Sequence, residues 1–103
     1  MSLYRIETDR ECRARLDQLL ETNRRAKQEL NKESVGRINA ALSEYYKLGN
    51  TTKGQGKMSP IERSHFWPAI QEAHAYRPNV ARPASWREGL EEIEWKLEKY
   101  RPK

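Results

Sequence analysis

Ser85-Trp86-Arg87-Glu88-Gly89-Leu90-Glu91-Glu92-Ile93-Glu94-Trp95-Lys96-Leu97-Glu98-Lys99-Tyr100 is the stretch that decides the fold. Trp86, Leu90, Ile93, Leu97 and Tyr100 recur at alternating steps of four and three, which lines them along one face of an α-helix. Ser85 followed by Glu88 reads as a capping box, in which each side chain satisfies the other's backbone amide. Pro102 stops the helix because it has no amide to donate. Trp95 lies two positions from both Ile93 and Leu97, so it points well away from the inward stripe.

The same signals recur upstream. Ser59-Pro60-Ile61-Glu62 combines a second capping box with proline at the first helical position. The helix it opens carries Ile61, Phe66, Ile70, Ala73 and Tyr76, and ends at Arg77-Pro78. Pro68 lies inside it, so the spacing predicts a kink there or two short helices with Trp67 at the junction. Thr8-Asp9-Arg10-Glu11 is a third capping box. It opens a stripe of Cys12, Leu16, Leu19, Leu20, Ala26 and Leu30, with Asn23 interrupting it.

That first helix does not run on to Gly49. Heptad spacing would carry the core positions to Glu33 and Arg37, yet the apolar residues reappear at Val35, Ile38, Leu42 and Tyr45. The slip predicts a turn over 31–34, with Asn31 or Ser34 capping the next helix. Gly49 is expected to end that helix in the left-handed conformation. Residues 49–58 hold no periodicity and three glycines, and read as a mobile basic loop. Only Leu3-Tyr4-Arg5-Ile6 has any strand character, within an irregular start over 1–7, and no weight is placed on Met1-Ser2-Leu3.

Helices near 9–30, 34–48, 60–76 and 85–100 make one all-α domain over 1–103: a four-helix bundle or irregular four-helix array, its third helix kinked or split at Pro68. The 103-residue length is the common size for a single domain. With 36% hydrophobic and 34% charged residues the chain is polar, but its regular apolar spacing separates it from disordered sequences. One cysteine excludes an internal disulfide and suits a reducing compartment. No stretch approaches the ~18 apolar residues of a membrane span, and no apolar segment near the start reads as a signal peptide. A cytoplasmic protein with no membrane partner is the expectation.

Most chemistry fails on spacing. Gly49 and Gly54 are placed as in a phosphate-binding P-loop, but Gln55 stands where lysine is needed. A simpler anion site would use Lys57 and the free amides of the Ser59-capped helix, against the plainer reading of a solvated linker. Glu62 and His65 form one Glu-x-x-His motif, of which a di-iron bundle needs two plus two further glutamates. No metal and no cofactor is expected. Cys12 lies in an apolar stripe and reads as inert. The acidic run from Glu88 to Glu98 reads as a solvated face on which Glu92 can pair with Lys96. No catalytic residue emerges.

Binding is what remains. The net charge is +5, from 20 Lys+Arg against 15 Asp+Glu, with a pI near 9.5. No acid falls between Glu44 and Glu62 or between Glu72 and Glu88. An up-down bundle would gather Arg24, Arg25, Lys27, Arg77, Arg82 and Arg87 at one end. Lys53 and Lys57 would lie at the other, with Lys99, Arg101 and Lys103. Such clusters can grip phosphates, or can simply complement helix dipoles. No helix-turn-helix pattern aligns. Trp95, Trp67 and Tyr46 are more aromatic surface than a small bundle need cover, and surplus aromatics mark protein interfaces. The expectation is a helical interaction module with a protein partner or a second copy, and nucleic acid as the alternative.

Overall fold

The computed structural model describes residues 6–103. Four longer helices and one short one follow in order: α1 (Asp9–Glu29), α2 (Lys32–Gly49), α3 (Thr52–Gly56), α4 (Trp67–Ala75) and α5 (Trp86–Lys99). A π-helical turn, Glu62–Phe66, precedes α4, and a 3-10 turn, Pro83–Ser85, precedes α5. There is no strand among the described residues, and the Leu3–Ile6 stretch lies outside them except for its last residue. None of the described helices is long and apolar enough to cross a membrane.

The break between α1 and α2 falls at Leu30. Its backbone turns left-handed, with φ 45° and ψ 53°, and its amide closes α1 on the Ala26 carbonyl at 2.8 Å. Asn31 then caps α2, its side chain accepting from the Ser34 amide at 2.8 Å. The left-handed conformation expected at Gly49, at the end of the second helix, does not occur; none of the described glycines has a positive φ. Gly49 remains inside α2, and Asn50 follows it as the cap. The segment expected to be an aperiodic loop folds into α3, capped by the Thr51 hydroxyl on the Gly54 amide. Gly54 is required by a close approach: a Cβ there would come within 1.9 Å of the Leu48 carbonyl oxygen.

Pro68 disturbs the third long helix as its chemistry demands. It has no amide for the preceding turn, and its ring crowds the carbonyl four residues back. The chain opens that turn into π geometry, closed by the Trp67 amide on the Glu62 carbonyl. Upstream the capping box forms as read. The Glu62 amide donates to the Ser59 hydroxyl at 3.2 Å, and the Ser59 amide donates to the Glu62 carboxylate at 3.1 Å. At Thr8 the hydroxyl caps α1, but Glu11 reaches the Glu7 amide rather than that of Thr8.

The Ser85 capping box does not form. Pro83 fixes a helical φ early, so Ser85 already lies in αR geometry, φ −88° and ψ −11°, and its hydroxyl donates to the Arg82 carbonyl. A cap needs an extended residue. Ser85 is too helical to be one.

Each long helix packs on two others, so that α1, α2, α4 and α5 make a ring with antiparallel neighbours. Cross-links fix the register. Arg13 and Asn23 of α1 donate to the carbonyls of Pro102 and Leu90. Tyr46 of α2 stacks on Trp67, while Asn39 donates to the Pro78 carbonyl. Leu16, Leu20, Ile38, Leu42, Phe66, Ile70, Leu90, Ile93 and Leu97 fill the centre, all essentially without solvent exposure. Gly89 lets α5 approach the end of α4: a Cβ there would lie 2.8 Å from the Tyr76 carbonyl oxygen.

Candidate interaction surface

The six basic residues expected at one end do not act as one surface. Arg24 of α1 binds Glu94 at 3.2 Å and Glu98 at 2.8 Å, and Lys27 binds Glu94 at 3.2 Å. These pairs lie along one flank of α5. Arg77 donates to the His74 carbonyl and to the Ser43 hydroxyl. With Arg82 it borders a groove on the opposite flank, across from Glu88 and Glu92. The carboxylates of α5 thus separate Arg24 and Lys27 from Arg77 and Arg82. Arg87 is exposed on α5 itself. Arg25 is exposed at a shallow groove between α1 and α2, near Arg37 and Glu21.

Lys53 and Lys57 are exposed on and just after α3. The anion site drawn from Lys57 and the Ser59-capped helix meets an obstacle. The buried Glu62 carboxylate already sits on the Ser59 amide, a negative group where an anion would dock. The same bond turns Glu62 away from any ligand role shared with His65, whose Nδ1 lies 3.1 Å from the Tyr100 carbonyl. No described group of three His, Cys, Asp or Glu side chains is placed to hold a metal ion. Cys12 is fully buried, and burial, then Asp9 and Glu62, push its thiol up to about 11. A thiol so far from ionising is a poor nucleophile at neutral pH.

The aromatics divide. Trp67 is 7% exposed and belongs to the core. Tyr46 is half-buried, sandwiched between Trp67 at 5.7 Å and His74 at 3.9 Å between ring centroids. Both are occupied inside the chain, because packing the end of α2 against α4 brings the three rings together. Trp95 is different: it stands 55% exposed on the outer face of α5.

A cluster that the sequence pattern does not announce surrounds Trp95. The Lys96 ammonium lies 3.9 Å from the Trp95 ring centroid and 5.7 Å from that of Tyr76, which is itself 44% exposed. Lys99 lies 5.5 Å from the Trp95 ring and 5.3 Å from that of Tyr100. Glu72 of α4 anchors the group, 3.2 Å from Lys96 and 3.8 Å from Lys99, and accepts a hydrogen bond from the Tyr100 hydroxyl. The Tyr100 hydroxyl, and then the two lysines, hold the Glu72 carboxyl below its ordinary range. The hydrogen bond to Glu72, and then burial, raise the Tyr100 hydroxyl in turn.

The pairing expected between Glu92 and Lys96 is replaced here, because Lys96 turns across the helix boundary to Glu72. Lys96 is consequently buried to 9% exposure, its stem laid along the aromatic rings. Trp95 was marked in the sequence by its phase. No local signal joins Tyr76, read as part of the third helix's apolar stripe, or Lys96, read as a partner of Glu92, to Glu72 and Trp95, since what joins them is the contact between α4 and α5.

No family model, curated protein or solved structure matches this chain.

Proposed function

We propose that this chain is a small helical binding module whose docking face is the outer side of α5 with the end of α4. The observation that carries the reading is a continuous aromatic and cationic patch. Trp95 and Tyr76, 55% and 44% exposed, are joined through the one ammonium of Lys96. Tryptophan and tyrosine are among the groups that dominate interface energetics. Fixing Lys96 and Lys99 on Glu72 before a partner arrives lowers the side-chain entropy lost on docking. Nucleic acid as partner has less behind it, because Glu94 and Glu98 neutralise Arg24 and Lys27, and Glu88, Glu91 and Glu92 line the outer face of α5.

A photo-crosslinking amino acid at position 95 tests this in the native cell extract, with the same group at exposed Gln28 of α1 as the control. The expected result is a discrete adduct from position 95, identified by mass spectrometry and absent from position 28. Equal labelling from both positions, or none from 95, would remove the docking face.

A further inference from the structure

We infer that the occupant of this face is a second copy of the same chain, docked antiparallel through α5 about a two-fold axis beside Trp95. The inference rests on the docking reading above and names its partner. It begins with the order of charges along one helix face. At about 100° per residue, Glu88, Glu91, Glu92 and Lys99 all lie within about 60° of Trp95 around α5. Along the axis, Glu92, Glu91 and Glu88 sit about 4.5, 6 and 10.5 Å to the N-terminal side of Trp95, and Lys99 about 6 Å to the other.

The N-terminal arm is acidic, and its Glu88 and Glu92 share a groove with Arg77 and Arg82 without closing an ion pair on either. Glu88, Glu91 and Glu92 have no ion-pair partner among the described residues. The C-terminal arm carries the opposite imbalance. Glu72 faces two ammoniums, with Lys96 at 3.2 Å and Lys99 at 3.8 Å, so one positive charge beside Trp95 is uncompensated. Lys99 carries it, its side chain 46% exposed. Trp95 stands between the two arms.

A two-fold axis perpendicular to α5 and level with Trp95 sets each point of one copy's face opposite the point of the other at the same lateral offset and the opposite height along the helix. Lys99 then meets Glu92, which lies on the same side of the face, and this occurs twice. On the other side Glu91 meets Glu98, whose charge Arg24 already holds at 2.8 Å, so that contact is an acid against a neutralised pair. The two Trp95 rings meet at the centre. Parallel docking would instead set acid on acid and lysine on lysine. A face whose two halves are charge-complementary about its own aromatic centre is the requirement for a symmetric contact, and two-fold dimers are the commonest soluble assembly.

A single helix pair with flanking side chains is a small interface, so dissociation constants in the range of about 10–100 μM are expected. Analytical ultracentrifugation of the full chain from about 5 to 500 μM spans that range. The wild type should pass from monomer to dimer, and Trp95→Ala should weaken the association at least about tenfold. Glu92→Lys alone and Lys99→Glu alone should each weaken it by a similar factor, since each sets like charges together. Glu92→Lys combined with Lys99→Glu should restore it to within about threefold of wild type, because the pair is rebuilt with the charges exchanged. Circular dichroism melts of each variant confirm that these surface changes leave the fold intact.

A wild type that stays monomeric throughout overturns the inference. So does a dimer indifferent to Trp95, and a double exchange that fails to restore association overturns the antiparallel register. If the chain is monomeric while position 95 still crosslinks to a different identified protein, the second copy is excluded and the docking face stands.

Discussion

Trp86 and Trp95 are nine residues apart on one helix, about two and a half revolutions at about 100° per residue, which sets them on opposite faces. Trp86 is 6% exposed, and its indole nitrogen donates to the Asn79 carbonyl at 3.0 Å, tying α5 to the segment that enters it. Trp95 is 55% exposed and rests on two lysine side chains. The inner tryptophan is held by the requirements of folding: apolar area removed from water, and one polar atom that needs a partner. The outer one meets no such requirement, so the composition around it is free to serve something else. The contrast locates the binding question on one face of one helix.

The largest expected effect breaks or confirms that contrast directly. Leu90→Ala, on the inner face and without exposure, should cost about 2–5 kcal/mol through lost burial and a residual cavity. Trp95→Ala, at about 1 μM where the chain is expected to be monomeric, should stay within about 0.5 kcal/mol of wild type despite deleting far more side chain. Urea unfolding followed by circular dichroism gives both numbers. Equal losses at the two positions would mean that Trp95 is a structural residue after all.

An intermediate effect tests the seam between the two faces. Gly89 sits where α5 meets the Tyr76 carbonyl and the Pro78 ring, and an added Cβ would lie 2.8 Å from the carbonyl oxygen and 3.1 Å from the Pro78 Cβ. A backbone carbonyl cannot retreat cheaply, so Gly89→Ala should destabilise by about 1–3 kcal/mol, although alanine is the better helix former. Gly36, inside α2, has nothing within 4 Å of the same added atom. Gly36→Ala should therefore stabilise by up to about 1 kcal/mol. Thermal melts of the two variants should move in opposite directions.

Local grammar makes most of the bundle legible in the sequence. The phase slip between Leu30 and Val35 marks a real reversal, because a shift of one to two residues would turn the apolar stripe of a continuous helix by about 100–200°, away from the core. Asn31 and Ser59 cap as their chemistry suggests, and Pro68 disrupts its turn for a reason written in its ring. Ser85 misled because Pro83, two residues earlier, had already set helical geometry. The surface was far less legible. Spacing offers Lys96 a partner at Glu92, one turn away, but the packed helices offer it Glu72, which binds it at 3.2 Å. Arg24 pairs along one flank of α5, while Arg77, bound to the His74 carbonyl and the Ser43 hydroxyl, borders the groove on its other flank. Pair choice across helices depends on side-chain direction in three dimensions, which one-dimensional periodicity does not carry.

The smallest effect expected is a pH dependence at the ring stack that keeps Tyr46 and Trp67 off the surface. His74 lies nearly parallel to Tyr46, 3.9 Å between centroids and 7° between planes. Burial, and then the Arg77 guanidinium, lower its pKa from the ordinary 6.5. A lowered pKa means that the unfolded chain takes up the proton first as the medium is acidified. His74 therefore contributes stability that is fully present above pH 6.5 and is lost as pH falls through that value toward the folded pKa. Glu72, also lowered, has an ordinary value of 4.5 and acts in the same direction only at and below that range. Between about pH 7.5 and 5.5 the decline belongs to histidine and not to Glu72. His74→Phe keeps a ring in the stack and removes the titration, so its urea midpoint should fall less over this interval than that of the wild type. A wild-type midpoint that rises on acidification to pH 5.5, or a variant whose slope is unchanged, would mean that the stack does not hold His74 in its neutral form.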